Sequence, residues 1–180
     1  MQPVPSEGEF SLWLMPPEPF FSRYREIIHR LSREYRTQTF PPHLTLLGNQ
    51  RGEEAAMVEQ TSKLARILTP VPIHLFDVGG RDEFFRCVIV YAEKSPELME
   101  ANRKARELVH ARSDAEYLPH LSLVYGDLDR SERAALIDRI ESPIEDRFEV
   151  HTLRLIATGG GLEGWRLVQD FPLTSKVEGD

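Results

Sequence analysis

Cysteine is nearly absent from this sequence, which has one, Cys87, among 180 residues. A single cysteine excludes a disulfide within the chain and argues against a zinc site with cysteine ligands. Cys87 lies in an apolar run over residues 84–91, and a free cysteine in such a run usually packs as a small apolar side chain. We therefore expect a buried thiol on a strand rather than a nucleophile.

Long hydrophobic stretches are missing as well. No apolar run approaches the roughly 20 residues that a helix needs to cross a bilayer. Residues 1–9 contain neither the basic nor the apolar region of a secretory signal. The length suits a single domain over residues 1–180, with a core large enough to need no disulfide or structural metal. We expect a cytoplasmic, monomeric protein without a membrane partner.

The chain carries no excess of positive charge, because 22 basic residues face 29 acidic ones and the net charge is -7. Proteins that follow a nucleic-acid backbone usually present a basic face. Here basic and acidic residues are interleaved, as in residues 23–26 and 103–107. We therefore expect no long nucleic acid as partner, and a small phosphorylated nucleotide fits better as the substrate.

The spacing of apolar residues and of turn residues predicts strands that alternate with helices. Strands are predicted at residues 10–15, 43–47, 73–78, 84–91 and 120–125, with a last pair at 147–157 and 165–171. Helices are predicted at residues 19–35, 53–68, 95–111 and 131–140, the third with Ser95 as its N-cap and Pro96 as its first residue. This order of elements is typical of an α+β protein.

The sequence of strand, helix, proline, histidine and strand occurs twice. His43 and His120 each follow a proline directly, and each stands at nearly the same distance from the strand that opens its half. This agreement indicates an internal duplication with two similar halves, approximately residues 1–80 and 81–180.

The motif His43-Leu44-Thr45-Leu46 is repeated as His120-Leu121-Ser122-Leu123. Side chains on a strand alternate between two faces. The leucines of each motif can therefore enter the core, while its histidine and its hydroxyl residue share the opposite face. If the two strands border one groove, that groove contains two imidazoles and two hydroxyls, a set that suits a bound phosphate.

Opening a cyclic phosphodiester requires a base that takes a proton from water and an acid that protonates the leaving oxygen. Two histidines near pH 7 can divide these tasks, and Thr45 and Ser122 can donate hydrogen bonds to the non-bridging oxygens. The remaining histidines lack metal-binding spacing, so we expect neither a metal nor a cofactor. They are His29, His74, His110 and His151.

These paired motifs resemble the 2H phosphoesterase superfamily, and within it the cyclic nucleotide phosphodiesterases of the plant and yeast type. The similarity is strongest in residues 117–127, Tyr-Leu-Pro-His-Leu-Ser-Leu-Val-Tyr-Gly-Asp. It extends more weakly to residues 11–14, to the strand around Cys87 and to Trp165-Arg166.

The resemblance implies a bilobal, LigT-like α+β fold: a duplicated β-α-β-α-β unit with two mainly antiparallel sheets flanking a central cleft and helices outside. It implies metal-independent hydrolysis of ADP-ribose 1″,2″-cyclic phosphate and of nucleoside 2′,3′-cyclic phosphates, the latter to 2′-phosphates. His43 and His120 then hold the catalytic positions, with Thr45 and Ser122 on the phosphate.

Two aromatic residues are also implied at the site by the resemblance. Tyr125 would line the cleft if the chain bends near Gly126, and Trp13 would lie near the base or ring of the substrate, with Phe84 or Phe85 as a further wall. The near symmetry of the halves leaves the base and the acid interchangeable, and we favour His120 as the base and His43 as the acid.

Two other functions remain open at this point. One is an RNA-end-processing enzyme that acts on 2′,3′-cyclic phosphate ends or 2′–5′ linkages, as in a 2′-5′ RNA ligase, which would need a basic approach to the cleft. The other is a non-catalytic nucleotide-binding module, which would not need two imidazoles able to exchange protons.

Overall fold

The structure, a computed structural model, describes residues 7–111, 115–140 and 144–174. Strands and helices alternate through these ranges, as the apolar spacing predicts. In chain order they are β1 (Gly8–Leu14), α1 (Phe20–Tyr35), β2 (Leu44–Gly52), α2 (Glu54–Ile67), β3 (Val71–Gly79), β4 (Val88–Ala92), α3 (Pro96–Leu108), β5 (His120–Val124), α4 (Arg130–Arg139), β6 (Asp146–Val150), β7 (Thr152–Ala157) and β8 (Arg166–Pro172). None of the helices within these ranges is long and apolar enough to cross a membrane.

Two of the described helices, α3 and α4, begin at a side-chain cap. The side chain of Ser95 accepts a hydrogen bond from the Leu98 amide at 3.2 Å, and Pro96 is the first residue of α3, as predicted. Asp129 caps α4 in the same way and forms a reciprocal capping box with Glu132. These caps satisfy backbone donors that would otherwise lack partners at the start of each helix.

The strands form one antiparallel sheet of eight strands in the order β6-β3-β4-β5-β2-β1-β7-β8. The prediction of two separate sheets is therefore wrong in this respect. Strands β2 and β5 pair through Leu44 and Leu121, and this residue pair joins two sets of four strands into one sheet. The sheet is continuous because the two histidine motifs lie side by side at its centre.

The two sets of strands do not coincide with the predicted halves, residues 1–80 and 81–180. Strand β3 lies beside β4 and β6, whereas β7 and β8 extend the set that contains β1 and β2. The helices cross over as well, since α1 packs against β5 and α3 packs against β2. These helix contacts connect the two sets of strands, which share only a short stretch of backbone pairing.

Two predicted strands differ from the structure. Residues 84–86 form a 3₁₀ turn, Phe84–Arg86, so that β4 begins only at Val88, while Cys87 between them is fully buried and free as predicted. The predicted strand 147–157 is divided at His151 into β6 and β7, which lie far apart in the sheet order. In both places a strand-like sequence pattern continues through a break in the strand, which periodicity alone does not reveal.

Candidate active site

Alternation along β2 and β5 places the two motifs as predicted. The leucines on one face are all 0% exposed: Leu44, Leu46, Leu121 and Leu123. The side chains between them line a cleft of about 560 Å³ on the other face: His43, Thr45, His120 and Ser122. Tyr125 and Trp13 line the same cleft, so the structure brings all six predicted site residues together.

The pairing of β2 with β5 brings the two motifs together. Leu44 lies opposite Leu121 in an antiparallel pair. Leu44 stands between His43 and Thr45 in the chain, and Leu121 stands between His120 and Ser122. This pair therefore brings both motifs to the point where the two sets of strands meet.

Both imidazole rings are anchored in the same way. The Nδ1 atom of His43 donates to the Pro41 carbonyl at 2.7 Å, and Nδ1 of His120 donates to the Leu118 carbonyl at 2.7 Å. A carbonyl oxygen can only accept, so Nδ1 carries the hydrogen in both rings and Nε2 is left to exchange protons. In each case the acceptor stands two residues before the histidine, next to the proline that keeps this segment extended.

The surroundings of both histidines favour the neutral form. Burial lowers the pKa of His43 to about 3; the hydrogen bond to Pro41 opposes this shift, and the positive charges of His120 and Arg154 add to it. Burial also lowers the pKa of His120, against the hydrogen bond to Leu118. A bound phosphate anion would reverse part of this effect, because a nearby opposite charge favours the protonated imidazole.

Trp13 supports His43 from one side. Its indole stacks on the imidazole with ring centroids 3.6 Å apart and planes 11° from parallel, and its side chain is buried at 2% exposure. Trp13 is also the strand partner of Thr45. The structure therefore shows Trp13 as a platform for the histidine, and a direct contact between Trp13 and a substrate stays a prediction.

Tyr125 approaches His43 from the cleft. Strand β5 ends at Val124, so the next residue leaves the strand alternation and turns inward, as its predicted place in the cleft requires. The Tyr125 hydroxyl lies 3.4 Å from Nε2 of His43, and its ring stacks on Phe40 at 3.7 Å between centroids. This contact places a phenol at the nitrogen that would transfer the proton.

The two hydroxyl residues differ in their hydrogen bonding. Ser122 Oγ donates to the Phe85 carbonyl at 2.9 Å and so holds the 3₁₀ turn that carries Phe85. Within the described residues, the Thr45 side chain donates no hydrogen bond to a protein group. Thr45 is therefore the hydroxyl that is available to an anion, whereas Ser122 would first have to turn away from Phe85.

Phe85, predicted with Phe84 as a further wall, lines the cleft, whereas the charged residues of the cleft are not evident from the sequence. Phe85 is 50% exposed and lies nearly parallel to Trp165, with centroids 6.1 Å apart and planes 19° from parallel. Charged and amide groups at the cleft come from separate segments: Glu9, Glu83, Arg86, Asn102, Arg106 and Glu116. Only the folding of α3 and the 3₁₀ turn towards β2 brings these groups together, and no spacing in the sequence signals it.

The other histidines lie outside this cleft. His74, for example, is held between the carboxylates of Glu93 and Glu145 at 2.8 and 2.7 Å. Among residues 7–111, 115–140 and 144–174, no cluster of three histidine, cysteine or acidic side chains could hold a metal ion. The prediction of a metal-independent site rests on the motifs and remains a prediction.

A second cavity, of about 700 Å³, lies between α1 and α4. Two of its three arginines are paired, Arg23 with Asp146 and Arg139 with Glu34. The described residues that line it include no histidine, serine or threonine, and its titratable groups are carboxylates, arginines and a tyrosine. The paired imidazoles and hydroxyls of the two motifs lie instead in the cleft between β2 and β5.

Comparison with known proteins identifies the family. The profile of the family described as cyclic phosphodiesterase-like protein matches residues 9–180. A cyclic phosphodiesterase of Arabidopsis thaliana is 27% identical over 127 residues, which cover 69% of this chain and 68% of the relative. A 2′,3′-cyclic-nucleotide 3′-phosphodiesterase of Yarrowia lipolytica is 29% identical over 180 residues and covers 77% of this chain and 82% of the relative.

Solved structures share the fold at lower sequence identity. The protein TT0787 of Thermus thermophilus has a TM-score of 0.69 at 18% identity, covering 93% of this chain and 99% of that one. E. coli LigT complexed with 3′-AMP has a TM-score of 0.62 at 16% identity, covering 94% and 100%. The LigT-like α+β architecture implied by the motifs is thus confirmed, with a single curled sheet in place of two.

The buried, neutral state of His43 predicts a loss of stability in acid. The unfolded imidazole has a pKa near 6.5, whereas the folded one stays neutral until about pH 3. The unfolded chain therefore binds a proton first, and the free energy of unfolding falls as the pH decreases from about 6.5 towards 3, with His43 contributing at most about 1.4 kcal/mol per pH unit.

Urea unfolding at a series of pH values measures this contribution. We expect a shallower pH dependence for His43→Gln than for the wild type between pH 6.5 and 4. Parallel curves for the two proteins would contradict the assigned neutral state of the folded imidazole.

Proposed function

Because the chain belongs to the cyclic phosphodiesterase-like family, whose profile spans residues 9–180, we propose that it is a metal-independent phosphodiesterase that opens small cyclic phosphates. Its substrates are nucleoside 2′,3′-cyclic phosphates, converted to 2′-phosphates, and ADP-ribose 1″,2″-cyclic phosphate, converted to the 1″-phosphate. It acts as a cytoplasmic monomer. The observation that carries this proposal is the pair of imidazoles, each anchored through Nδ1, that line one cleft together with Thr45.

The reaction needs one proton to be taken and one to be given. His120 is only partly buried and lines the cleft, so we assign it the proton of the water that attacks phosphorus. His43 becomes protonated beside the bound anion and gives its proton to O3′ as the bond between phosphorus and O3′ breaks. The name of the Yarrowia lipolytica relative, a 3′-phosphodiesterase, agrees with cleavage of this bond.

The remaining polar groups stabilise the charge that builds on the phosphate. The Thr45 hydroxyl donates to a non-bridging oxygen, since no protein acceptor within the described residues occupies it. Ser122 can add a second hydrogen bond once it releases the Phe85 carbonyl. The Tyr125 hydroxyl, 3.4 Å from Nε2 of His43, lies where the leaving oxygen would be protonated.

The acid–base assignment makes both histidines necessary for turnover. Each proton-transfer role typically contributes about 10²–10⁴-fold in rate. We therefore expect His43→Ala and His120→Ala each to lower kcat for 2′,3′-cyclic AMP by at least about 100-fold in EDTA, as measured by phosphorus NMR. His151→Ala, which removes an exposed imidazole outside the cleft, serves as the matched control. Near-normal turnover by both variants would refute the mechanism.

The exposed aromatic rings at the cleft supply a stacking surface for the base of the substrate. Phe85 lines the cleft, whereas its neighbour Phe84 is also exposed, at 40%, but does not line it. A base stacked on an aromatic side chain is worth about 1–3 kcal/mol when tested by alanine substitution.

This difference gives a pair of matched variants. Phe85→Ala should raise KM for 2′,3′-cyclic AMP roughly 5- to 150-fold, the equivalent of that energy range, with little change in kcat. Phe84→Ala should leave KM within about twofold. Steady-state kinetics of both variants measure this difference. Equal effects on KM at the two positions would show that Phe85 does not stack on the base of the substrate.

The charge around the cleft favours a small substrate over long RNA. Two arginines, Arg86 and Arg106, line it together with the acidic residues Glu9, Glu83 and Glu116. Arg86 is partly engaged, because its guanidinium lies 3.2 Å from the Glu83 carboxylate. The net charge of -7 adds no general attraction for a polyanion.

We therefore expect kcat/KM to be higher for 2′,3′-cyclic AMP than for an oligonucleotide with a 2′,3′-cyclic phosphate end, at physiological salt. A competition assay with both substrates measures the ratio directly. A strong preference for the oligonucleotide would favour the RNA-end-processing function instead. Saturable binding of 2′,3′-cyclic AMP without any product would favour the non-catalytic binding module.

A further inference from the structure

Among the described residues, strand β2 has a strand partner on only one side for most of its length. It pairs with β1 over its whole extent, from Leu44 to Gly52. On the side of β5 the pairing stops after Leu44 and Leu121. From Thr45 onwards, backbone groups that face the other set of strands therefore need partners from outside the sheet.

Two side chains from the second half of the sequence provide these partners. The Tyr117 hydroxyl donates to the Thr45 carbonyl at 3.1 Å, and Asn102 Nδ2 donates to the Leu46 carbonyl at 2.8 Å. Tyr117 belongs to the segment that leads into β5, and Asn102 belongs to α3. Both side chains reach β2 on the side where it has separated from β5.

The geometry of β2 explains why two successive carbonyls are available. Carbonyls on a regular strand point alternately to opposite sides. Trp13 pairs with Thr45 while Leu12 pairs with Leu47, so Leu46 is an extra residue on β2 and forms a β-bulge. A bulge disrupts the regular ladder locally, and here the successive carbonyls of Thr45 and Leu46 both accept hydrogen bonds from side chains.

These contacts are buried and specific. Asn102 is 6% exposed, and its amide is tied to β2 from a helix that also packs on this strand. Burial raises the pKa of Tyr117, which keeps its hydroxyl protonated as a donor. A buried carbonyl that loses its donor is costly, so both hydrogen bonds restrain the backbone at the position of the candidate phosphate ligand Thr45.

We propose that Tyr117 and Asn102 are positioning residues for Thr45. Their side chains take the place of a neighbouring strand along β2 and so hold the threonine hydroxyl at the phosphate. This inference rests on the proposed function, since it assigns these residues to the same reaction. Neither residue has to touch the substrate. Their effect on the reaction passes through the Thr45 backbone.

A double-mutant cycle separates this role from a general effect on the fold, because residues that act through one another are not additive. Tyr117→Phe removes only the hydroxyl and should lower kcat for 2′,3′-cyclic AMP about tenfold, since small misplacements at a reacting centre are costly. KM should stay within about threefold. In a Thr45→Val background the same change should lower kcat less than about twofold, and Asn102→Leu should follow the same pattern.

Tyr24→Phe is the matched control. Tyr24 is a buried tyrosine on α1 whose hydroxyl donates to Asp146 at 2.6 Å, outside the cleft. Its loss should leave kcat within about twofold in both backgrounds. A tenfold effect of Tyr117→Phe that persists in Thr45→Val would overturn the proposal, because the hydroxyl would then act independently of Thr45. No effect in either background would overturn it equally.

The proposed function and this inference can fail separately. If the wild type yields no product from any cyclic phosphate, the proposed function fails. The same cycle is then measured by calorimetry with inorganic phosphate. Weaker phosphate binding by Tyr117→Phe only when Thr45 is present supports the positioning role, and equal weakening in both backgrounds rejects it.

Discussion

The site depends on one backbone pair, Leu44 with Leu121, where the two sets of strands meet. Both leucines are fully buried, so the residues on either side of each are directed to the opposite face. Because the strands separate after this pair, the face opens into a cleft instead of continuing as a flat sheet. A longer pairing would close the space in which a phosphate could lie between His43 and His120.

The second constraint is the burial of His43 away from water. Burial keeps His43 neutral, whereas stacking on Trp13 and the backbone hydrogen bond at Nδ1 fix the orientation of its ring. A charged imidazole would be unfavourable in the empty cleft and favourable beside an anion. The substrate thus supplies the charge that turns one of two similar histidines into an acid, which explains how a nearly symmetric pair can perform different tasks.

Much of this arrangement follows from local patterns. Strand alternation is sufficient to separate the leucines from the histidines and hydroxyls, because the period of a strand does not depend on its neighbours. The N-cap at Ser95 is equally local. The single sheet, the exchange of strands between the halves and the division at His151 depend on which strands pair, and pairing is not encoded in spacing.

The same distinction applies within the site. His43, Thr45, His120 and Ser122 are visible in the sequence because they belong to a repeated motif. The stacking of Trp13 under His43 and the hydrogen bond from Ser122 to Phe85 are not visible, since each joins segments distant in the chain. Tyr117 and Asn102 stabilise an irregularity, the bulge at Leu46, that exists only in the folded sheet.

The most direct measurement is a crystal structure of the protein with adenosine 2′-phosphate, the product expected from 2′,3′-cyclic AMP. We expect one phosphate group with its oxygens about 2.6–3.2 Å from Nε2 of both histidines and from the Thr45 hydroxyl. A phosphate that contacts only one of the two imidazoles, or that binds in the groove between α1 and α4, would contradict it.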